Sequence, residues 1–119
     1  MQVRLSSGNY DIIASDEAFL FDPFEDLMIQ VDDGGEVLLR IVLKFQKEPS
    51  GERDIKTDIE DDSLVITCIN FDGIGTGLRS PTHIADVDGK KVYFIFSSSY
   101  FGDDKSGSRS VKYTVFREK

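Results

Sequence analysis

Residues 36–45, Glu36-Val-Leu-Leu-Arg-Ile-Val-Leu-Lys-Phe45, place Val37, Leu39, Ile41, Leu43 and Phe45 on every second position. Successive side chains of an extended chain point to opposite faces, so these five share one face while Arg40 and Lys44 take the other. On a helix the same five would scatter round the circumference and leave no apolar stripe. The stretch is therefore a strand with a buried face. Its second face is not wholly polar, because Leu38 and Val42 interleave with Arg40 and Lys44. An apolar patch rimmed by charge marks an interaction surface. Leu38, Arg40, Val42 and Lys44 are accordingly candidate interface residues for a homodimer or another protein partner. The alternative is a central strand whose outer face is partly covered.

The sequence on either side follows the same period. Leu27, Ile29 and Val31 share a face, opposed by Asp26 and Gln30. Ile55, Thr57 and Ile59 alternate with Lys56, Asp58 and Glu60, a charged row of the kind that guards a sheet edge. Residues 64–71 and 92–96 are apolar on both faces and read as central strands. Val111, Tyr113 and Val115 alternate with Lys112 and Thr114 in a last strand, and further strands are expected near residues 2–5, 10–14 and 18–22. Gly, Asp, Asn and Pro punctuate these runs at intervals of about 8–12 residues, as in sandwiches and barrels. Asp61-Asp62 and Asp88-Gly89 have the spacing of two-residue hairpin turns, whereas Gly102–Ser108 forms a longer connection. No window shows helical periodicity. The expectation is one domain over residues 1–119, an all-β antiparallel β-sandwich of about eight strands with a Greek-key connection. Its core should hold Leu39, Ile41, Leu43, Phe45, Leu64, Ile66, Cys68, Phe94, Phe96, Tyr113 and Val115.

Composition narrows the function classes. The 119 residues carry a formal net charge of −8, which repels phosphate backbones and anionic lipid surfaces. Neither a nucleic acid nor a membrane is expected as a partner; a basic protein surface is compatible with that charge. The single cysteine, Cys68, excludes an intramolecular disulfide. The segment Met1-Gln-Val-Arg-Leu-Ser-Ser lacks the apolar stretch of a secretory signal, and no run approaches the ~20 apolar residues of a membrane span. A cytoplasmic location is the expectation.

Few residues suggest chemistry. Gly73, Gly75 and Gly77 alternate before Arg79 and Pro81, but neither a following helix nor the Lys spacing of a phosphate loop is present, so a crossover between strands is expected. His83 is the only histidine and Cys68 the only thiol, too few for a zinc site. Cys68 alternates with Leu64 and Ile66 and should be buried and inert. Acidic pairs at strand ends are more suggestive. Asp32, Asp33, Asp86, Asp88, Asp103 and Asp104, together with Asp61-Asp62, could supply the oxygen ligands of calcium if their loops share an end. Tyr100 and Phe101, beside the Gly102–Ser108 connection, are candidate ligand-binding aromatics.

Asn70, Gly75-Thr76-Gly77, Pro81, Ile84, Gly89-Lys90-Lys91-Val92-Tyr93-Phe94, Phe96 and Tyr113-Thr114-Val115-Phe116 resemble a group of small bacterial β-rich proteins of unknown function. The resemblance covers about the last 50 residues. It implies a compact bacterial domain and no particular activity. The leading expectation is a non-enzymatic binding or interaction module without a cofactor. A calcium- or carbohydrate-binding sandwich is the alternative, and a carboxylate-based hydrolase comes last.

Overall fold

The structure, a computed structural model, describes residues 9–33, 35–73, 75–78, 80–102 and 107–119; the side chain of Asp33 lies outside that description. Its strands are β1 (Tyr10–Leu20), β2 (Leu27–Asp33), β3 (Glu36–Gln46), β4 (Asp54–Glu60), β5 (Ser63–Ile69), β6 (Thr76–Gly77), β7 (Thr82–Val87), β8 (Lys90–Phe101) and β9 (Ser108–Glu118). They form two sheets. One has the order β2-β3-β5-β4; the other runs β1-β9-β8, with β6 and β7 sharing the far edge of β8.

Local chemistry accounts for the hairpins. Asp61 and Asp62 have φ of 48° and 64°, and Asp88 and Gly89 have φ of 52° and 77°. Positive φ at both central residues is the type I′ turn, whose twist matches that of paired strands. Asp tolerates this conformation better than most side chains, and Gly adopts it freely. The segments expected near 10–14 and 18–22 are one eleven-residue strand, β1, with an irregularity between Ile12 and Ala14. The polar run Ser15-Asp16-Glu17 hid its continuity, since β1 is an edge strand and needs no apolar residues there. The expected strand at 2–5 lies outside the described residues.

One pairing departs from the antiparallel expectation. β3 and β5 run parallel, from Arg40 opposite Ser63 to Gln46 opposite Ile69. The β4–β5 hairpin folds back so that its second strand slots between β3 and β4. The connection at 47–53 must then cross the end of β5, and Asn70 pins it there. Asn70 is buried, with φ of 59°. Its backbone N–H donates to the Gln46 carbonyl (2.9 Å), its Oδ1 accepts from the Glu48 N–H (2.9 Å), and its Nδ2 donates to the Glu52 carbonyl (2.8 Å).

The sheets pack face to face. Ile29, Val31, Ile41, Leu43, Phe45, Ile66 and Cys68 meet Val92, Phe94, Phe96, Val111 and Val115, all buried. Leu39, Leu64 and Tyr113, expected in this core, lie against it only partly buried.

A buried arginine fastens one end of the sandwich. Arg109, at the start of β9, is 1% exposed. Its Nε donates to the Pro23 carbonyl (2.8 Å), and its Nη1 donates to the Phe71 carbonyl and the Ser98 hydroxyl (2.7 Å each). The guanidinium lies 4.1 Å from the ring centre of Phe45 and 5.4 Å from that of Tyr100. Tyr100, expected at the surface, is therefore buried: alternation along β8 places it inward with Phe96 and Ser98, in contact with this cation and Phe24.

Candidate functional site

The two long sides of the sandwich differ. On one, β1 packs against β2. On the other, β4 and β7 stand apart, and an apolar cleft of about 310 Å³ opens between Ile55, Thr57, Leu64 and Ile66 on one sheet and Leu78, Thr82, His83 and Ile84 on the other.

The sequence explains why this side stays open. β6 is two residues long, and Pro81, which has no N–H to donate, separates it from β7. The far edge of β8 is thus covered by two short pieces instead of a continuous strand. The first piece is held very close. A Cβ added to Gly77 would stand 2.1 Å from the Phe96 carbonyl oxygen, so no other residue fits without displacing the backbone. The N–H of Leu78 donates to that same carbonyl (3.0 Å), which aims its side chain at the cleft. The N–H of Gly75 donates to Ser99 Oγ (2.9 Å), and Thr76 Oγ1 donates to the Ser98 carbonyl (3.1 Å). The Gly-rich segment is therefore tied along β8 as a sheet edge, the crossover expected for it.

β4 forms the other lip. Among the described residues it is the edge of its sheet, and every one of its residues is exposed. Its register on β5 sets Ile55 opposite Cys68, Thr57 opposite Ile66 and Ile59 opposite Leu64, so Ile55, Thr57 and Ile59 belong to the core-facing side. Nothing in the second sheet covers them fully: Ile55 is 37% and Ile59 76% exposed. An edge strand has unpaired backbone groups along one side. Here that side borders an apolar row and an apolar cleft.

The expected site residues fall elsewhere. Leu38, Arg40, Val42 and Lys44 do share the outer face of β3, and β3 is a central strand flanked by β2 and β5. Val42 sits in a row between Met28, 72% exposed, and Val65, which is buried. Lys44, Lys56 and Glu60 line the shallow depression that holds Val65, and aliphatic stems of such residues cover apolar surface while their charges stay in water. Phe101 is half-exposed.

The described acidic turns gather at one end of the sandwich. β3 and β5 are parallel, so the turns before them, with Asp32-Asp33 and Asp61-Asp62, share an end. Arg109 at the start of β9 meets Phe45 at the end of β3, so the start of the antiparallel β8, with the Asp88 turn, lies at the opposite end, the one that holds Asp32-Asp33 and Asp61-Asp62. Asp103 and Asp104 lie outside the described residues. Asp32 Oδ1 accepts from Gln30 Nε2 (3.1 Å), and Asp86 Oδ1 bonds His83 Nε2 (2.8 Å). Among the described residues, no three His, Cys, Asp or Glu side chains come together as a metal site. Burial pushes the Cys68 thiol up to about 12, against the opposing pull of the Arg109 charge.

Two features escaped the sequence. The one signal for Arg109 is the alternation Tyr113, Val111, Arg109, which assigns it to the inward face. The cleft was missed because alternation identifies a face and not what lies across from it.

The match to known families spans residues 4–118, well beyond the C-terminal half that the resemblance covered. The chain belongs to the DUF6864 family, a domain of unknown function. No curated protein and no solved structure matches it. Among the described residues of this DUF6864 domain, no helix is long and apolar enough to cross a membrane.

Proposed function

We propose that this domain is a non-enzymatic interaction module that takes an extended polypeptide strand along the free edge of β4. The observation that carries it is the coincidence of three things among the described residues on one side of the sandwich: an unpaired edge, an uncovered apolar row (Ile55, Ile59) and an apolar cleft beneath them. A charged row alone is enough to keep an edge soluble. It does not account for Ile59 being left open to water beside an apolar hollow.

Strand addition uses main-chain hydrogen bonds for affinity and alternate side chains for selectivity. An incoming strand beside β4 would lay every second side chain over the cleft mouth and the others among Lys56, Asp58 and Glu60. Asp54, Asp58, Glu60, Asp61 and Asp62 against Lys56 make this lip acidic, in keeping with the chain's net charge of −8. The favoured segment alternates apolar with polar residues and is not strongly acidic.

The test is a displayed library of extended peptides selected on the folded protein, followed by amide chemical shifts of the complex. Shifts concentrated on β4 and on Leu78–Ile84, weakened by Ile59→Asp, are expected. Binding that leaves β4 unperturbed, or a library that yields no binder on a protein shown to be monomeric, would overturn the assignment.

A further inference from the structure

We infer that the strand accepted by β4 is β4 of a second copy of this chain, paired antiparallel about a two-fold axis through Thr57. The inference rests on the β4 reading above and names its partner.

β4 reads Asp54-Ile-Lys-Thr-Asp-Ile-Glu60. When it pairs with itself about Thr57, residues whose numbers are equally far from 57 face one another. Ile55 then meets the partner's Ile59, Lys56 meets the partner's Asp58, and Thr57 meets the partner's Thr57. The two-fold repeats each contact, as it must in an isologous interface. Directly opposed side chains of an antiparallel pair share a face. The Ile pairs therefore fall on the cleft side, and the Lys–Asp pairs fall on the outer side.

The register is selective. An axis through Lys56 would set Lys against Lys, and an axis through Asp58 would set Asp against Asp at the centre; both would lose the Ile–Ile pairs. Only the Thr57 axis gives apolar, opposite-charge and Thr–Thr pairs together. One like-charged pair remains at each frayed end, Asp54 against the partner's Glu60. Within one copy these charges have no complement in register, since Lys56 lies opposite Thr67 and Asp58 opposite Val65. The second copy supplies what β5 does not.

The assembly also covers what the single copy leaves open. Joining the β4 edges makes one continuous eight-stranded sheet from the two four-stranded ones. With the axis perpendicular to that sheet, the two clefts open toward each other, and Ile55 and Ile59 of both copies line the join.

Sedimentation over a concentration series, up to millimolar, tests this on the intact chain. The mass should rise from 13.4 kDa toward twice that value. Lys56→Asp and Asp58→Lys, both at exposed positions, should each remain monomeric. An equimolar mixture of the two should form a heterodimer, and the double exchange in one chain should restore the homodimer. Val42→Glu, on the outer face of β3, should leave the wild-type dimer intact. A wild type that stays monomeric, single charge variants that dimerise normally, or loss of the dimer in Val42→Glu would overturn the inference. A monomer whose β4 amides still respond to a selected peptide would overturn the self-pairing alone and leave strand acceptance standing; a monomer with no such response would remove both.

Discussion

Arg109 is a buried cation held by carbonyl oxygens, a hydroxyl and aromatic rings. Burial presses its pKa down, opposed by Cys68, Asp72 and Tyr100. Its planar fork reaches Pro23, Phe71 and Ser98 from one place, which a lysine cannot do. Arg109→Met should leave two carbonyls without a donor at about 1–3 kcal/mol each, read as a lowered urea midpoint. Arg109→Lys should recover only part of the loss. At Cys68 the prediction concerns pH. Its thiol titrates near 9.0 when unfolded and about 12 when folded. Below the lower value both states hold the proton and the folded state keeps its full advantage. As pH rises from there toward the upper value, only the unfolded thiol ionises, and stability falls. Tyr93 and Tyr113, whose hydroxyls are also held up by burial, add to the fall in the same direction. Urea midpoints measured across the alkaline range should decline steadily, and a disulfide reagent should label Cys68 only as fast as the protein opens.

At the scale of elements, the alternation in 36–45 was sufficient to place the inward residues of β3, and Asp61-Asp62 and Asp88-Gly89 were sufficient to place two turns. Neighbour order was not legible. A period of two states which face a side chain takes and says nothing about which strand lies beside it, so the parallel β3–β5 pair came only from the structure. Its one local trace is Asn70, the αL residue that holds the crossover. Asn70→Ala removes two side-chain hydrogen bonds and puts a poorly suited residue at positive φ. The expected loss is about 2–4 kcal/mol, measured by urea unfolding, and Asn70→Gly should lose less because only the hydrogen bonds go. For the core, Phe94 is fully buried, and Phe94→Ala should cost about 3–5 kcal/mol in the same measurement.

For the whole molecule, the working feature is an asymmetry between a closed side and an open one. The charged row of β4 announced an edge in the sequence; the missing cover over Ile59 did not, because it depends on Pro81 and Gly77 shortening the opposite edge. Ile59 therefore separates stability from assembly. At 76% exposure, Ile59→Asp should change the unfolding free energy of the monomer by no more than about 0.5 kcal/mol. The same substitution should abolish mass gain in sedimentation. Equal loss of both would mean that Ile59 belongs to the core after all.

The insertion of β5 between β3 and β4 also dictates an order of events during folding. The β4–β5 hairpin closes through two residues and can form at once, whereas β3, paired with β2 along one edge, must wait for a partner further along the chain to cover the other. That order lets a preformed hairpin enter as a unit, with Asn70 shutting the crossover behind it. Until that entry, β3 and β5 each present a bare edge, which makes this interval the stage at which newly made chains are most exposed to mispairing.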